Sequence, residues 1–372
     1  MVEALTGRLA RATAATAASG LDALLITPGA DLRYLLGLPP DPHACLSERL
    51  TCLVLRGTGA PVLVVPRLER PGYAGLGLEA LGVELRDWVD GEDPHALVAG
   101  LLGGAPAAVG LADTMPAAHV LALRATLAGT GQRLAGPVLR ELRMRKDPAE
   151  VAALRRAGAA IDRVHARMAE FVKPGRTEAE VGAAIAAAML EEGHAAASFI
   201  VVGSGPNGAS PHHEVSGRVI EAGDVVVVDI GGPLPEGYYS DSTRTYCVGT
   251  EPAAEVRDTY AVLLEAQLAA VAAVRPGVTA EQVDAAARDI IAGAGFGEYF
   301  VHRTGHGIGL DVHEEPYIVA GNDLVLRPGM TFSVEPGIYL PGRWGARIED
   351  IVVVTEDGCE RLNTRPRELA TL

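Results

Sequence analysis

Asp229, Asp241, His306, Glu335 and Glu349 lie in five short phrases toward the end of the chain: VVVDIGG, YYSDSTRTY, HRTGHGIGLDVHEEP, FSVEPGIYL and GARIEDIVV. Four carboxylates and one imidazole are a hard, anionic ligand set, and four negative charges call for about two divalent cations. Two such ions can share a water, lower its pKa and clamp a carbonyl for attack. Amide hydrolysis needs that nucleophile, that polarisation and a proton for a poor leaving group, which an acid–base carboxylate can deliver. No GxSxG is present, and no serine or cysteine nucleophile is required.

Each group also has a structural explanation. Asp229 ends a run of four valines and could cap the Gly-Gly turn that follows. A carboxylate beside a buried strand otherwise costs several kcal/mol, on the order of an unpaired charge, unless paired or metal-bound. Asp241 comes twelve residues later, as expected for adjacent antiparallel strands, and could pair with Arg244. Arg347 and Glu349 share a face if both lie in one strand, so an Arg–Glu contact is the plain account. The alternative has Arg347 orienting a ligand carboxylate. Glu335 precedes Pro336-Gly337 and could simply be solvated. Taken singly these readings hold; jointly they leave four acids and a histidine on Gly-flanked strands without a common purpose.

His302, His306 and His313 cluster around Gly305 and Gly307 but do not form HExxH, which disfavours a single-zinc helical protease. GHGIG lacks the strand-to-helix frame and the lysine of a phosphate cradle. His212 and His213 lie on a Gly/Ser/Pro-rich loop, where His213 is read as exposed.

The elements that must position these groups need a large chain. At 372 residues, 48% hydrophobic but only 4% aromatic, the sequence suggests two domains with Ala-, Val- and Leu-rich cores. The formal charge of −15 argues against nucleic acid or an anionic membrane surface as a partner. Cys45, Cys52, Cys247 and Cys359 show no metal-ligand spacing and read as reduced thiols of a cytoplasmic protein, Cys247 as strand packing. No apolar run is long enough to cross a membrane, and none at the start resembles an export signal.

Residues 1–140 read as a small α/β domain: an Ala-rich helix ended by Gly20, strand LDALLITP, helix GADLRYLLGL, a hairpin of TCLVLRG and PVLVVPR around Thr58-Gly59-Ala60, then alternating pieces. Residues 141–372 read as an α+β domain. A helix starts at Asp147-Pro148 with Glu150 completing a capping box, and Thr177/Glu180 and Thr279/Gln282 repeat the device. Five strands are expected: SFIVVGSG, DVVVVDIGG, YYSDSTRTYCV, MTFSVEPGIYL and RIEDIVVVTEDG. No short repeat is apparent.

These phrases, in this order, resemble the pita-bread metallopeptidases: Xaa-Pro dipeptidase (prolidase), aminopeptidase P, methionine aminopeptidase and creatinase. GADLRYLLGL is similar to the "YLTG" stretch of the creatinase-type N-terminal domain. The resemblance implies such a domain over residues 1–140 and a pita-bread catalytic domain over 141–372. By position, Asp229 would hold one metal, Asp241 and Glu349 would bridge both, and His306 with Glu335 would complete the second site. A metal-bridging hydroxide would attack the amide carbon, Glu335 would relay the proton, and His313 would meet the carbonyl oxygen. His302 and His212 would line the proline side, and Arg347 would support the bridging glutamate. The twelve-residue interval between the aspartates is one longer than is common in the family, implying a slightly longer loop in GGPLPEG.

The implied reaction is cleavage before proline, in dipeptides or at the N-termini of short peptides. An N-terminal domain disfavours methionine aminopeptidase, and a full ligand set disfavours creatinase. Two alternatives stand beside it: hydrolysis of a small non-peptide amide such as an ectoine derivative, and a non-catalytic pita-bread binding module. Dipeptide selectivity needs a cation for the free carboxylate of proline, which some prolidases supply just after the position of His313. Here that stretch is EEPYIVAG, with Tyr317 and no arginine, which pulls toward aminopeptidase P. The oxygen-rich set favours Mn2+, with Co2+, Zn2+ and Fe2+ as alternatives. The resemblance further implies a homodimer.

Overall fold

The computed structural model describes residues 2–38 and 48–372, so Cys45 lies outside the described residues. It divides into two compact units, Met1–Arg143 and Met144–Leu372.

The first unit is built on a six-stranded mixed sheet. Its order is Glu84–Trp88, Val62–Pro66, Cys52–Arg56, Ala23–Ile26, Ala108–Leu111, Gly131–Leu134. Antiparallel pairing of Cys52 with Val64 bears out the hairpin, and Gly59 takes the positive φ its turn needs. The strands Ala23–Ile26 and Val62–Pro66 are buried throughout, as continuous apolar runs must be when both faces of a sheet are covered. Helices Val2–Ala18 and Ala30–Leu36 fall where the sequence reading places them, and Pro94–Leu101 and Ala117–Thr126 lie among the alternating pieces that follow.

In the second unit the three capping boxes form as read. Asp147 accepts from the backbones of Ala149 and Glu150, opening the helix Pro148–Ala166. Thr177 and Thr279 open Glu178–Glu191 and Ala280–Gly293. Two sheets follow. One pairs Ala370–Thr371, Tyr239–Cys247, Val225–Pro233 and Phe199–Ser204. The other pairs Glu314–Ile318, Gly305–Gly307, Thr331–Val334, Asp350–Val354 and Cys359–Arg361. Val181, Ile185 and Met189 of one helix pack with Val202, Val226 and Val228 of the first sheet. Val283, Ala287 and Ile291, with Leu263 and Ala270 of Ala254–Ala273, pack with Phe332, Val334 and Val352 of the second.

The two halves repeat one another, which the sequence reading does not expect. Pro174-Gly175-Arg176-Thr177 and Pro276-Gly277-Val278-Thr279 both lead into a capped helix. Gly175 and Gly277 share a φ of 89°, and their N–H groups donate to Ile220 O and Leu326 O. A second positive-φ glycine then opens each central strand, Gly223 or Gly329, and the acid six residues on is Asp229 or Glu335. Identity survives only where the backbone needs Pro, Gly or a capping Thr, so the repeat is too sparse to read as a sequence period.

Two strand expectations need correction. MTFSVEPGIYL is two strands, Thr331–Val334 and Gly337–Leu340, and RIEDIVVV is also divided, after Trp344–Arg347 and before Asp350–Val354. Among the described residues Gly337–Leu340 and Trp344–Arg347 pair only with each other. Pro336 has no N–H to continue a ladder, and its carbonyl instead accepts from Ile348 N. The N–H of Glu335 turns to Thr304 O and that of Glu349 to Thr243 O. Both glutamates therefore sit where the chain leaves one sheet.

Candidate active site

Asp229 and Asp241 come from neighbouring antiparallel strands. Asp229 is registered opposite Thr243, and Asp241 opposite Gly231, so the two acids are diagonal neighbours on one face. The strand Val225–Pro233 runs straight through Gly231-Gly232, so Asp229 caps no turn there. The loop itself is Leu234–Tyr238, shorter than the phrase GGPLPEG suggests, because its first three residues stay in the ladder.

His306 enters from Gly305–Gly307, where both glycines are forced by crowding. A Cβ at Gly305 would lie 1.8 Å from Ser333 O and one at Gly307 2.2 Å from Glu315 O. The ring's Nδ1 lies 3.1 Å from Gly307 O, and donating there would leave Nε2, once it gives up its own proton, free to hold a cation. Nε2 is 3.2 Å from Glu335 Oε1 and 3.6 Å from Asp241 Oδ2. Ser333 fixes this corner, its hydroxyl donating to Glu335 and accepting from His306 N. Glu349 receives a hydrogen bond at 2.7 Å from the Thr243 hydroxyl. Donor atoms of Asp241, His306 and Glu349 all lie within 4.8 Å of one another, a group able to hold a metal ion. The structure thus brings all five sequence-selected groups to one place.

Electrostatics shows what this cluster lacks. Burial, then the charge of Asp229, pushes the Asp241 carboxyl well above its usual range. Burial, then the charge of Asp241, does the same to Glu349. Burial works against ionisation of Glu335 too, but hydrogen bonding to His306 and the charge of that ring outweigh it and bring Glu335 down to about 2. Asp229 Oδ1 and Glu349 Oε1 are buried without a hydrogen-bond partner. Buried, unsatisfied carboxylate oxygens facing like charges are what a divalent cation satisfies.

Arg347 orients a candidate ligand carboxylate, as one of the two readings has it, but that carboxylate is Asp229 and not Glu349. Its guanidinium reaches Asp229 Oδ2 at 2.5 Å and the Tyr339 hydroxyl at 2.6 Å, while Nε donates to Thr243 Oγ1 at 3.1 Å. It touches Glu349 only through Thr243, because the break after Arg347 ends the alternation that would put residues 347 and 349 on one face. Arg244 bonds Asp350 at 2.7 Å, so it is no partner for Asp241. Glu335 is 14% exposed, hence not a solvated strand end.

The remaining histidines are distributed unevenly. His313 packs edge-on against His306, with ring centroids 4.2 Å apart. Burial, the charge of His306 and that of Arg303 bring His313 down to about 4. His302 is hydrogen-bonded to Tyr339 at 2.9 Å and lowered by burial. His212 is exposed on its loop and is felt at His302 and His313 only through its charge. His213 is not the exposed loop residue expected. Its Nε2 lies 2.7 Å from Glu178, a fully buried carboxylate that also accepts from Ser204, Asn207 and Ser216. Sequence reasoning misses Thr243, Ser333 and Tyr339. Thr243 alone carries a signal, two residues from Asp241 on the same face.

Comparison with known proteins agrees with this geometry. Residues 152–356 match metallopeptidase family M24, and residues 8–145 match the creatinase/prolidase N-terminal domain. The crystal structure of dipeptidase PepE from Mycobacterium ulcerans is similar with 60% identity and a TM-score of 0.94, covering 100% of this chain and 98% of that one. That of recombinant prolidase from Thermococcus sibiricus shares 40% identity and a TM-score of 0.91, with 98% of each chain covered. The Xaa-Pro dipeptidase of Lactobacillus helveticus is 36% identical over 360 residues, 94% of this chain and 95% of the relative. The chain therefore belongs to metallopeptidase family M24. It is a metallo-exopeptidase of the pita-bread prolidase group, with the creatinase-type N-terminal domain. Among the described residues no helix is long and apolar enough to cross a membrane.

Proposed function

We propose that this enzyme cleaves the Xaa-Pro bond of dipeptides, with two divalent ions held by Asp229, Asp241, His306, Glu335 and Glu349. The convergence of Asp241, His306 and Glu349 donor atoms within 4.8 Å carries the reading. The unpartnered oxygens of Asp229 and Glu349 extend it to both ends of the cluster. When bound, the ions would supply Lewis acidity toward the scissile carbonyl and a water of lowered pKa. Four carboxylates against one imidazole favour Mn2+.

The chain's own groups divide the remaining work. Glu335, ionised at neutral pH and oriented by Ser333, accepts the proton lost by the attacking water and passes it to the proline nitrogen. His313, neutral at that pH, donates a hydrogen bond to the carbonyl oxygen as negative charge develops there. His302 and His212 border the proline side, and Arg347 fixes Asp229 directly and Glu349 by way of Thr243. Similarity to proteins named dipeptidase supports dipeptides over longer peptides. No observation favours the non-peptide amide or the non-catalytic module. The free thiols Cys52, Cys247 and Cys359 suit a reducing cytoplasm, and a homodimer, testable by light scattering, completes the reading.

Metal analysis together with Asp241→Asn tests it. The variant should keep its fold, bind less Mn2+ and lose activity on Ala-Pro by more than roughly 100-fold. Full metal content and full activity in that variant would remove Asp241 from the site.

A further inference from the structure

Among the described residues no hydrogen bond holds the ring of His212, so its place beside the site depends on its two chain neighbours. Both are anchored. Pro211 O accepts from two guanidinium nitrogens of Arg347, at 3.3 and 3.4 Å, and Arg347 is itself bonded to Asp229. On the other side of His212 in the chain, His213 Nε2 donates to Glu178 at 2.7 Å. The loop also sits tightly on the strand Trp344–Arg347, where a Cβ at Gly345 would fall 2.1 Å from Gly208 O.

Glu178 gathers the whole loop. It is fully buried and accepts from the backbone and hydroxyl of Ser204, the Asn207 amide, the His213 ring, and the backbone and hydroxyl of Ser216. The helix start completes the grip, Glu178 N donating to Arg218 O and Ala179 N to Ser216 O. Thr177 and Glu180 already cap this helix, so its beginning does not need a second acid. A buried charge is weak as a source of stability and serves better to fix one arrangement.

The other half of the unit repeats the device. Asp284, buried in helix Ala280–Gly293, accepts from both the backbone and the hydroxyl of Thr304, as Glu178 does from Ser204. Its partner Arg288 donates to His302 O at 2.8 Å. Each half thus sets one helix-borne acid behind one histidine of the proline side, His302 here and His212 there.

We propose that Glu178 and His213 are positioning residues that hold His212 against the proline side of the substrate. This rests on the Xaa-Pro reading above, in which His212 borders that side.

His213→Leu removes one bond and leaves Glu178 its serine and asparagine donors. On the full Mn2+-loaded chain it should lower kcat/KM for Ala-Pro by ~10- to 100-fold, through KM with kcat nearly unchanged. His213→Gln, which keeps an N–H near the place of Nε2, should recover most of the loss. In a His212→Ala background, His213→Leu should change kcat/KM by less than about twofold, because the two act as one. Amide hydrogen exchange over residues 205–217 should also speed up in His213→Leu. If that variant fails to fold, judged by circular dichroism, His213→Asn, whose shorter amide stops short of Glu178, takes its place. An equal loss with and without His212 would make His213 structural and overturn the proposal. So would an unchanged KM or unchanged exchange, and each of these leaves the Xaa-Pro reading standing. A wild-type enzyme inactive on Ala-Pro overturns that reading and the substrate side of the proposal together, while faster exchange would still establish the anchor.

Discussion

Replacing Thr243 by valine keeps shape and removes one hydroxyl from the centre of the cluster. That hydroxyl donates to Glu349 Oε2 at 2.7 Å and accepts from Arg347 Nε at 3.1 Å, and all three side chains are buried. Arg347 keeps Asp229, Tyr339 and Pro211 as partners, so its loss is small. Glu349 loses the bond that orients it, and the cost depends on its charge. In the metal-free protein, burial and the charge of Asp241 favour protonated Glu349, whose bond to Thr243 is neutral and worth about 1 kcal/mol. With a cation bound Glu349 is a carboxylate, and the bond is worth roughly 1.5–3 kcal/mol.

The variant therefore loses more in the loaded state, and the difference of about 0.5–2 kcal/mol appears as weaker metal binding, roughly 2- to 30-fold. Calorimetric Mn2+ titration of chelator-stripped protein reads this directly, and urea unfolding with and without metal reads the two stability losses. At saturating Mn2+, turnover of Ala-Pro should stay within about threefold, because Glu335 and His313 are untouched. Equal stability losses with and without metal, at unchanged affinity, would refute the reasoning and reduce Thr243 to packing.

Two other substitutions probe the supports. The Lys146–Glu314 ion pair is almost fully enclosed and adjoins His313, so Lys146→Met should cost ~3–5 kcal/mol in urea unfolding and lower kcat. Adding Glu314→Leu should restore most of the stability, and a double variant no better than the single would argue against the pair. Glu178 is pushed upward by burial, but hydrogen bonds led by Ser204 and Ser216 hold it down at about 2. A depressed carboxylate stabilises above its ordinary pKa, and that contribution fades as pH falls toward the folded value. Glu178→Gln should therefore cost roughly 3 kcal/mol at pH 7 and clearly less at pH 3.5, by urea unfolding at each pH. A loss independent of pH would mean that the carboxylate charge contributes nothing.

Much of the fold is legible because its signals are local. Asp147-Pro148-Glu150, Thr177 with Glu180, and Thr279 with Gln282 each satisfy helix-terminal N–H groups within four residues, so no distant contact can overrule them. The hairpin placing Asp229 beside Asp241 is similarly local. Pairing over longer range is not. The carboxylate chosen by Arg347 depends on how Trp344–Arg347 lies against the sheet carrying Asp229, and nothing near residue 347 encodes that. Loop composition likewise makes His213 exposed, whereas its position is set by Glu178, thirty-five residues earlier.

The errors fall in a pattern with a physical cause. Where a strand continues, its period of two decides partners correctly: Asp241 and Arg244 differ by three positions and point to opposite faces, which already excludes their pairing. Where the chain leaves a sheet the period ends, and Arg347, Ile348 and Glu349 span such an exit. Glu335 and Glu349 both need one, because a ligand in mid-ladder is confined to the face its register gives it. At an exit the backbone N–H can bond to another sheet, as that of Glu349 does to Thr243 O, whereas that of Glu335 still bonds Thr304 O, beside the strand Gly305–Gly307 of its own sheet. The breaks that defeat partner assignment from sequence are thus the same breaks that let the two halves aim their acids at one point.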